Sequence, residues 1–463
     1  MLLRFRVANH RSIRDECELS LVGTERDDVA WVTGLKEGDH DVAAEPVVGV
    51  FGANASGKSN LLSAMRFMRK AVRESFAEWT KLPDVPREPF KLDPEAMDET
   101  SVYEVDLALG AKRKIRYTYG FELSDERVEA EWLYAYPDGE RVVWFDRETD
   151  RPREEGQDFV FDDEADKGFR GRREDLVAFT RPNALFLSTA AALNDPQLSA
   201  VHRWFLDNLW LVTPGEDVAA RSEWTRRLLA DARAATHIAH TRDKDSHLKN
   251  KTGARPATSA HAAPRDYPQR LAQLLAIADL GLTGVDLDRE TGEVAFRHRT
   301  PGGGEAHLDF RTEESLGTHS WFAFLGPLLH VLDSGSTLLV DELDSSLHPT
   351  LAAEVVRLFQ DPRANPRGAQ LVFTTHDATL LGDEVLDRPL HRDQVWITVK
   401  RKSGETELYR LTDAGPGPGE NLERGFLRGR YGGVPRVGAG EIAREVSWQE
   451  EQRQREREAK ASA

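Results

Sequence analysis

The first residues of the chain alternate between apolar and polar positions, a pattern that predicts a β-strand. Leu3, Phe5 and Val7 would form its inward face, and residues 18–22 suit a second strand. Residues 47–51 are wholly apolar, which favours a strand that is buried on both faces of a sheet. Apolar side chains then recur at spacings of four, three and four, which predicts one buried face of a helix: Leu61, Met65, Met68 and Val72.

The pattern changes over residues 101–146, where two hairpins are indicated. Residues 103–109 and 115–121 alternate on either side of a turn at 110–112. The second hairpin would turn at residues 137–139, which are Pro, Asp and Gly. We therefore expect an antiparallel β region after the first helix.

Helical spacing dominates residues 170–235, where one face would carry Leu198, Val201, Phe205 and Leu209. Residues 240–268 are polar and rich in small residues and proline, which predicts a mobile loop. Residues 441–463 are almost wholly polar, a composition typical of an exposed helix or a disordered tail.

Composition excludes several classes of protein. The chain is 40% hydrophobic and 30% charged, as expected for a globular protein. No apolar run approaches the roughly 18 residues that a membrane span needs, and the start lacks the apolar core of a secretion signal. A single cysteine, Cys17, excludes an internal disulfide. These features predict a cytoplasmic protein with no membrane partner.

The net charge of −17 argues against a uniformly basic nucleic-acid binder. Residues 221–255 are nevertheless locally basic, with nine Lys and Arg against four Asp and Glu. A solvated loop and helix face is the favoured interpretation of this segment. Nucleic acid therefore stays open as a partner.

Residues 52–59 fit the phosphate-binding pattern G-x-x-x-x-G-K-[ST], between a buried strand and an amphipathic helix. The terminal glycines let backbone N–H groups curl around phosphate oxygens, and the helix N-terminus adds its positive end. Lys58 would reach the β- and γ-phosphates, and the Ser59 hydroxyl would bind Mg²⁺. The motif predicts ATP and Mg²⁺ as ligands, with a nucleotide-binding set of Gly52, Asn54, Ser56, Gly57, Lys58, Ser59 and Asn60.

A second motif is an apolar strand at residues 337–340 that is followed directly by two acids, Asp341 and Glu342. Such a strand delivers both carboxylates to the carboxyl edge of a parallel sheet, where ligands of these sheets bind. Asp341 would hold the hydrated Mg²⁺, and Glu342 would orient and deprotonate the attacking water. Ser59 and Asp341 lie 282 positions apart. A large insertion must therefore separate two halves of the nucleotide-binding core.

This layout resembles the RecF/SMC/OLD branch of ABC-type ATPases. Residues 314–318 open a helix where that family has its signature loop, and 344–349 follow the acids like its D-loop. Residues 371–377 predict a buried strand that ends at His376, which is placed like the family's switch histidine. The resemblance implies an α/β fold, with an ABC-type P-loop NTPase core and a large inserted β-hairpin and helical region.

The resemblance also implies how the site works. Two subunits would form a homodimer or part of a higher oligomer, and Ser315, Gly317 and Thr318 would grip the γ-phosphate of the partner's ATP. Asp344 would join this nucleotide-binding set. His376 would hydrogen-bond the γ-phosphate or the attacking water. The implied catalytic residues are Lys58, Glu342 and His376.

Four segments point to a narrower group within these ATPases: residues 9–13, 59–60, 392–396 and 430–435. They look like the AAA-labelled, RecF-like ATPases of prokaryotic defence islands, which are often found beside an RloB-type partner. The resemblance covers residues 1–75 and 310–435, and it implies the sensor or regulator of an antiviral, abortive-infection-like system with a separate RloB-like effector.

Three departures from that pattern stand out. His10 occupies a position where an aromatic residue is usual, and Ala55 replaces a common glycine. No glutamine precedes Gln157, so the Q-loop glutamine of ABC ATPases has no counterpart near residues 89–90.

Two other functions remain open. Arg242 and His247 have the spacing of HEPN ribonucleases, which would make the chain an ATP-gated nuclease toxin. A DNA repair ATPase of RecF/SMC type is the other alternative, although long heptad repeats are missing.

The patterns together divide the chain into an N-terminal half of the ATPase core (1–80), an antiparallel β insertion (81–165), a helical insertion with the mobile loop (166–310), a C-terminal half of the core (311–440) and a polar tail (441–463).

Overall fold

A computed structural model describes residues 1–461 except 24–30, 38–39, 111–113, 150–157, 163–166, 214–217, 245–265, 279–280, 289–292, 384–385, 418, 436–437 and 439. The strands of this part are β1 (Leu2–Ala8), β2 (Cys17–Ser20), β3 (Trp31–Glu37), β4 (His40–Ala44), β5 (Val47–Gly52), β6 (Ser101–Leu109), β7 (Ile115–Leu123), β8 (Val128–Tyr136), β9 (Val142–Glu148), β10 (Phe159–Val160), β11 (Leu209–Val212), β12 (Leu282–Leu287), β13 (Val294–Arg299), β14 (Glu305–Asp309), β15 (Thr337–Val340), β16 (Gln370–Thr375), β17 (Val395–Lys400) and β18 (Thr406–Arg410).

The α-helices are α1 (Lys58–Glu74), α2 (Pro94–Asp98), α3 (Arg173–Phe179), α4 (Phe186–Ala192), α5 (Leu198–Asn208), α6 (Val218–Lys244), α7 (Tyr267–Ala278), α8 (Leu316–Ser334), α9 (Leu343–Ser346), α10 (Pro349–Gln360), α11 (Leu422–Leu427) and α12 (Glu441–Ala461). Short 3-10 turns lie at Trp79–Lys81, Ala378–Leu381, Arg392–Gln394 and Leu411–Ala414. No helix in this part of the chain combines the length and the apolar character needed to cross a bilayer.

The centre of the fold is a six-stranded sheet in the order β11-β15-β16-β5-β17-β18. Its first five strands are parallel, and β18 runs antiparallel to β17 at the edge. Val48 and Val50 of β5 join the apolar cluster on the α1 side, whereas Val47 and Phe51 join the cluster on the α8 and α10 side. The predicted burial of this strand on both faces is confirmed, as is the α/β fold class.

A seven-stranded antiparallel sheet covers the other side of α1, in the order β10-β9-β8-β7-β6-β1-β2. Both predicted hairpins are present in it, since β6 pairs with β7 and β8 with β9. They continue the sheet that β1 and β2 begin, because β6 pairs with β1. The predicted inner face of α1 is buried between the two sheets: Leu61, Met65, Met68 and Val72.

The first strand differs from the prediction at one residue. Phe5 and Val7 face the main core as expected, but Leu2 joins them there in place of Leu3. The pairing of β1 with β6 shifts register between Leu2 and Arg4. Leu3 therefore packs in a separate small cluster, because a register shift of one residue moves a side chain to the opposite face.

Strand β11 was not predicted. Leu209 was expected on a helix face, but it is the first residue of β11, which pairs in parallel with β15. The prediction was wrong because a four-residue apolar run that follows a helix directly does not reveal its own periodicity. The segment predicted as a helical insertion thus contributes a strand to the central sheet.

The region predicted as a mobile loop is described only at its ends. Helix α6 continues to Lys244 and helix α7 begins at Tyr267, so the prediction of a loop over residues 240–268 is wrong at both of its ends. Alanine and arginine are frequent over the whole of α6 and favour helix. Residues 245–265, with His247 of the possible nuclease pair, and residues 111–112 of the first hairpin turn lie outside the described residues. Residues 441–461 form helix α12, one of the two predicted states of the tail.

Gln370 joins the two large sheets. Its buried side chain accepts from Leu2 N at 2.7 Å and donates to Leu2 O at 2.9 Å, so β16 holds the first strand through one amide. Replacing Gln370 with Leu leaves both backbone groups without partners. Each unpaired buried group costs roughly 1–3 kcal/mol.

We predict that Gln370→Leu lowers the free energy of unfolding by about 2–4 kcal/mol, measured from the urea midpoint. Gln449→Leu, which makes the same change on exposed helix α12, should alter it by less than about 0.5 kcal/mol. Equal midpoints for the two variants would contradict this role of Gln370.

Candidate nucleotide-binding site

The loop between β5 and α1 needs glycine at both ends. A Cβ atom on Gly52 would collide with the hydroxyls of Thr398 and Ser56, and one on Gly57 would collide with Thr406. Gly57 also has a φ of 105°, in the left-handed region that side chains disfavour. Both glycines are therefore required by close packing against β17 and β18.

Ala55 lies in the left-handed region as well, with a φ of 62°. This conformation costs an L-residue roughly 1–2 kcal/mol compared with glycine. Glycine is common at this position in the ATPases that the sequence resembles, and the positive φ gives a physical reason for it. The loop of this chain is thus folded with some backbone strain.

Lys58 is the first residue of α1 and only 6% exposed. Its Nζ donates to Gly52 O at 2.7 Å and to Ala53 O at 3.0 Å, which folds the side chain over the loop. Burial lowers the pKa of Lys58, and the carboxylates of Glu342, Asp344 and Asp341 partly oppose that shift. A phosphate chain would add further negative charge beside the buried ammonium group and so favour its charged form.

Asp341 follows β15 and meets the phosphate-binding loop. Ser59 Oγ donates to Asp341 Oδ1 at 2.9 Å, across 282 positions of sequence. Thr374 Oγ1 donates to the same oxygen at 2.6 Å, and Asp341 N donates to Val212 O at 2.8 Å. Strand β16 thus holds the carboxylate of Asp341, and strand β11 holds its backbone N–H group.

Glu342 occupies a strained backbone position, with φ 50° and ψ 64°. Its N–H donates to Thr374 Oγ1 at 2.8 Å, so the hydroxyl that orients Asp341 also anchors the next residue. A non-glycine residue in this region costs roughly 1–3 kcal/mol and persists where its surroundings enforce it. Such outliers concentrate at functional sites.

These residues surround a cavity of about 500 Å³. The lining residues are Ser12, Asn54, Ala55, Ser56, Gly57, Lys58, Ser59, Asn60, Glu342, His376 and Lys400. The structure therefore brings together the predicted loop, the predicted water-activating acid and the predicted histidine. Asp341 reaches the same place through Ser59.

Asp344 lies next to His376, with Oδ2 2.8 Å from Nδ1 of the imidazole. Its carboxylate is only 7% exposed, and neither of its oxygens makes a hydrogen bond among the described residues. The carboxylate thus lies against the Nδ1 side of the imidazole, where it would favour the protonated ring.

The arrangement fits a magnesium–triphosphate group. Mg²⁺ is commonly held by one or two carboxylates together with phosphate oxygens and water, and the Ser59–Asp341 pair offers two oxygens of that type. Lys58 and Ser59, the first two residues of α1, line the cavity, and the N-terminus of a helix favours an anion such as phosphate.

Ser315, Gly317 and Thr318 are not brought to Lys58. They line a separate cavity of about 470 Å³ beside α7 and the start of α10. Ser315 caps helix α8, since its Oγ accepts from Thr318 N at 3.1 Å. Within one chain, the predicted signature residues and the phosphate-binding loop are therefore apart.

Sequence reasoning missed Ser12 and Lys400, which both line the first cavity. Ser12 belongs to the segment 9–13 that carried the resemblance, and Lys400 ends a strand at the same sheet edge as the loop. Another of the four resembling segments, residues 430–435, also lies beside the loop. A Cβ atom on Gly433 would come within 3.5 Å of Gly52 Cα, so this turn supports the loop from below.

Three solved structures similar to this chain are SMC head domains, each 11% identical to it. They are an SMC head bound to the C-winged helix domain of ScpA (TM-score 0.42, covering 92% of this chain and 99% of that chain), the head from Thermotoga maritima (TM-score 0.37, 88% and 98%) and the head with an extended coiled coil bound to the C-terminal domain of ScpA from Pyrococcus furiosus (TM-score 0.38, 89% and 97%). A comparison with curated proteins found no match.

A family profile matches residues 47–382, which is more than half of the chain. Its description is "AAA domain, putative AbiEii toxin, Type IV TA system". The match begins at β5 and includes the phosphate-binding loop, the two acids and His376. The AAA part of the predicted resemblance is thereby confirmed, and the chain belongs to this AbiEii-type AAA domain family.

Proposed function

We propose that this protein is a Mg²⁺-dependent ATPase that acts as a dimeric, ATP-gated switch. In this proposal ATP closes two subunits onto each other, and hydrolysis releases them. The observation that carries it is the 2.9 Å contact between Ser59 and Asp341, at a cavity that Lys58, Glu342 and His376 also line.

Each residue of the cavity has a chemical task in this proposal. Lys58 and the loop N–H groups would bind the β- and γ-phosphates. Bound Mg²⁺ would neutralise phosphate charge, and Ser59 and Asp341 would hold it. Glu342 would orient a water molecule and accept its proton, because a carboxylate so placed is a general base. His376, which lies beside the carboxylate of Asp344, would donate to the γ-phosphate or to that water.

Two observations support a dimer. Ser315 and Gly317 lie in a different cavity from Lys58, so they cannot serve the nucleotide of their own subunit in this arrangement. Leu316, between them, is 83% exposed, which is unusual for a large apolar side chain. A second subunit that brought its phosphate-binding loop to this helix start would cover Leu316 and complete both sites.

The biological role that we propose is sensing or regulation in an antiviral, abortive-infection-like system. The description of the family names a toxin of a toxin–antitoxin system, which supports a role in defence. The segments at 392–396 and 430–435 resemble defence ATPases that occur beside an RloB-type protein. We therefore propose a separate RloB-like effector that responds to closure of the dimer, in the cytoplasm.

Glu342→Gln should slow ATP turnover by roughly 10²–10⁴-fold, because the amide keeps the shape of the side chain but cannot accept the proton. ATP should still bind, so an ATP-dependent dimer should accumulate in size-exclusion chromatography with light scattering. Glu354→Gln, on the exposed face of α10, is the matched control. Turnover at the unsubstituted rate would show that Glu342 is not the general base.

Lys58→Ala should weaken ATP binding roughly 100-fold in calorimetry, because a buried charge-assisted contact contributes about 1.5–3 kcal/mol. Lys70→Ala removes the same charge from the exposed side of α1 and should leave the affinity within about twofold. If both variants bound ATP equally well, the assignment of the loop would be wrong.

Gly317→Arg should abolish the ATP-dependent dimer and lower turnover at least about tenfold. An isolated subunit has room for a side chain at position 317, since a Cβ atom would meet only Ser315 Oγ, at 3.6 Å. The arginine side chain would, however, obstruct a second subunit that docks on this helix start. Gly302→Arg, at a position with open space around it, is the control. A dimer that persists with full turnover would contradict the shared site.

A further inference from the structure

Lys400 is the last residue of β17 and lines the cavity of the phosphate-binding loop. The residue is exposed, and its ammonium group has neither a hydrogen-bond nor an ion-pair partner among the residues that the structure describes. The neighbouring Arg401, in contrast, pairs with Glu405 and Glu407. Lys400 is therefore a cation without a counter-charge at a site whose shape suits a polyanion.

The strand pairing directs Lys400 towards the loop. Side chains two positions apart on a strand share a face, and Thr398 uses this face to bond Ser56 Oγ at 2.6 Å. Across the ladder, Lys400 is paired with Thr406, whose hydroxyl donates to Ser56 O at 3.0 Å. Residues beside and opposite Lys400 thus both contact the loop, which fixes the backbone of Lys400 close to it.

The strand order decides which end of a nucleotide Lys400 faces. Along the carboxyl edge, the acids follow β15, His376 follows β16, the loop follows β5, and Lys400 ends β17. The groups proposed for hydrolysis therefore lie on one side of the loop, and Lys400 lies on the other. A triphosphate with its γ-phosphate at the acids would extend its nucleoside end towards β17.

The cavity wall on the β17 side of the phosphate-binding loop is polar, and hydrogen bonds connect its side chains. Asn60 Nδ2 donates to Ser12 Oγ at 2.6 Å, and Ser12 Oγ bonds Thr406 Oγ1 at 2.7 Å. Because Thr406 donates onward to Ser56 O, Ser12 is the donor in its contact with Thr406. The hydroxyl protons of Ser12 and Thr406 are thus used within this chain, and Lys400 is the positively charged residue that lines the cavity on this side of the loop.

We propose that Lys400 binds the α-phosphate of the nucleotide and so sets the affinity for nucleoside di- and triphosphates alike. This inference rests on the proposed ATP site and adds to it the residue that holds the nucleoside end. A contact to the α-phosphate is made by ADP and by ATP, whereas a contact to the γ-phosphate is made by ATP alone. The two positions are therefore distinguishable by comparing ligands.

The test is calorimetry on the full chain with Mg²⁺, using ADP and the β,γ-imido analogue of ATP. Lys400→Ala should weaken both ligands about tenfold, as expected for loss of one charge-assisted contact. The ratio of the two Kd values should stay unchanged. Lys400→Arg should recover most of the affinity for both, because it restores the positive charge.

Lys402→Ala is the matched control, since it removes the same charge two residues further on, at an exposed position outside the cavity. Unchanged Kd values for Lys400→Ala would overturn the proposal, and so would a loss confined to the triphosphate analogue. Failure of the unsubstituted chain to take up either ligand would instead overturn the proposed ATP site together with this inference.

Discussion

The hydrogen bond between Ser59 and Asp341 is the constraint on which the rest of the site depends. It joins the start of helix α1 to the end of strand β15, and these residues are separated by 282 positions. Thr374 and Val212 hold Asp341 from the two neighbouring strands. A parallel sheet brings such distant residues to one edge, because the carboxyl ends of its strands lie side by side.

The surrounding fold stabilises this edge from both faces. Helix α1 lies between the central sheet and the antiparallel sheet, and its apolar face belongs to a core shared by both. Gln370 ties the first strand to β16, and Thr406 ties β18 to the loop. Ala55 and Glu342 occupy strained positions. Thr406 anchors Ser56, the residue next to Ala55, and Thr374 anchors the N–H group of Glu342, so neighbouring contacts enforce both conformations.

The sequence was sufficient for the features that depend on local patterns. The run at 47–51, the spacing along α1, both hairpins, and the motifs at 52–59 and 341–342 could each be recognised from residue type and spacing. Strand β11 could not, because its four residues have no readable period. Lys400 was missed for a different reason: its position beside the loop depends on the pairing of β17 with β5, which is a non-local contact. The register shift that redirects Leu3 is likewise a property of pairing.

The most direct test of the account is a double-mutant cycle on the Mg²⁺ dependence of ATP affinity, with Ser59→Ala, Asp341→Asn and both together. If the two side chains hold one magnesium–triphosphate group, each single variant should lose most of the enhancement that Mg²⁺ gives, and the double variant should lose little more. The coupling energy should then exceed about 1 kcal/mol. Strictly additive losses, or an enhancement that survives in all three variants, would contradict it.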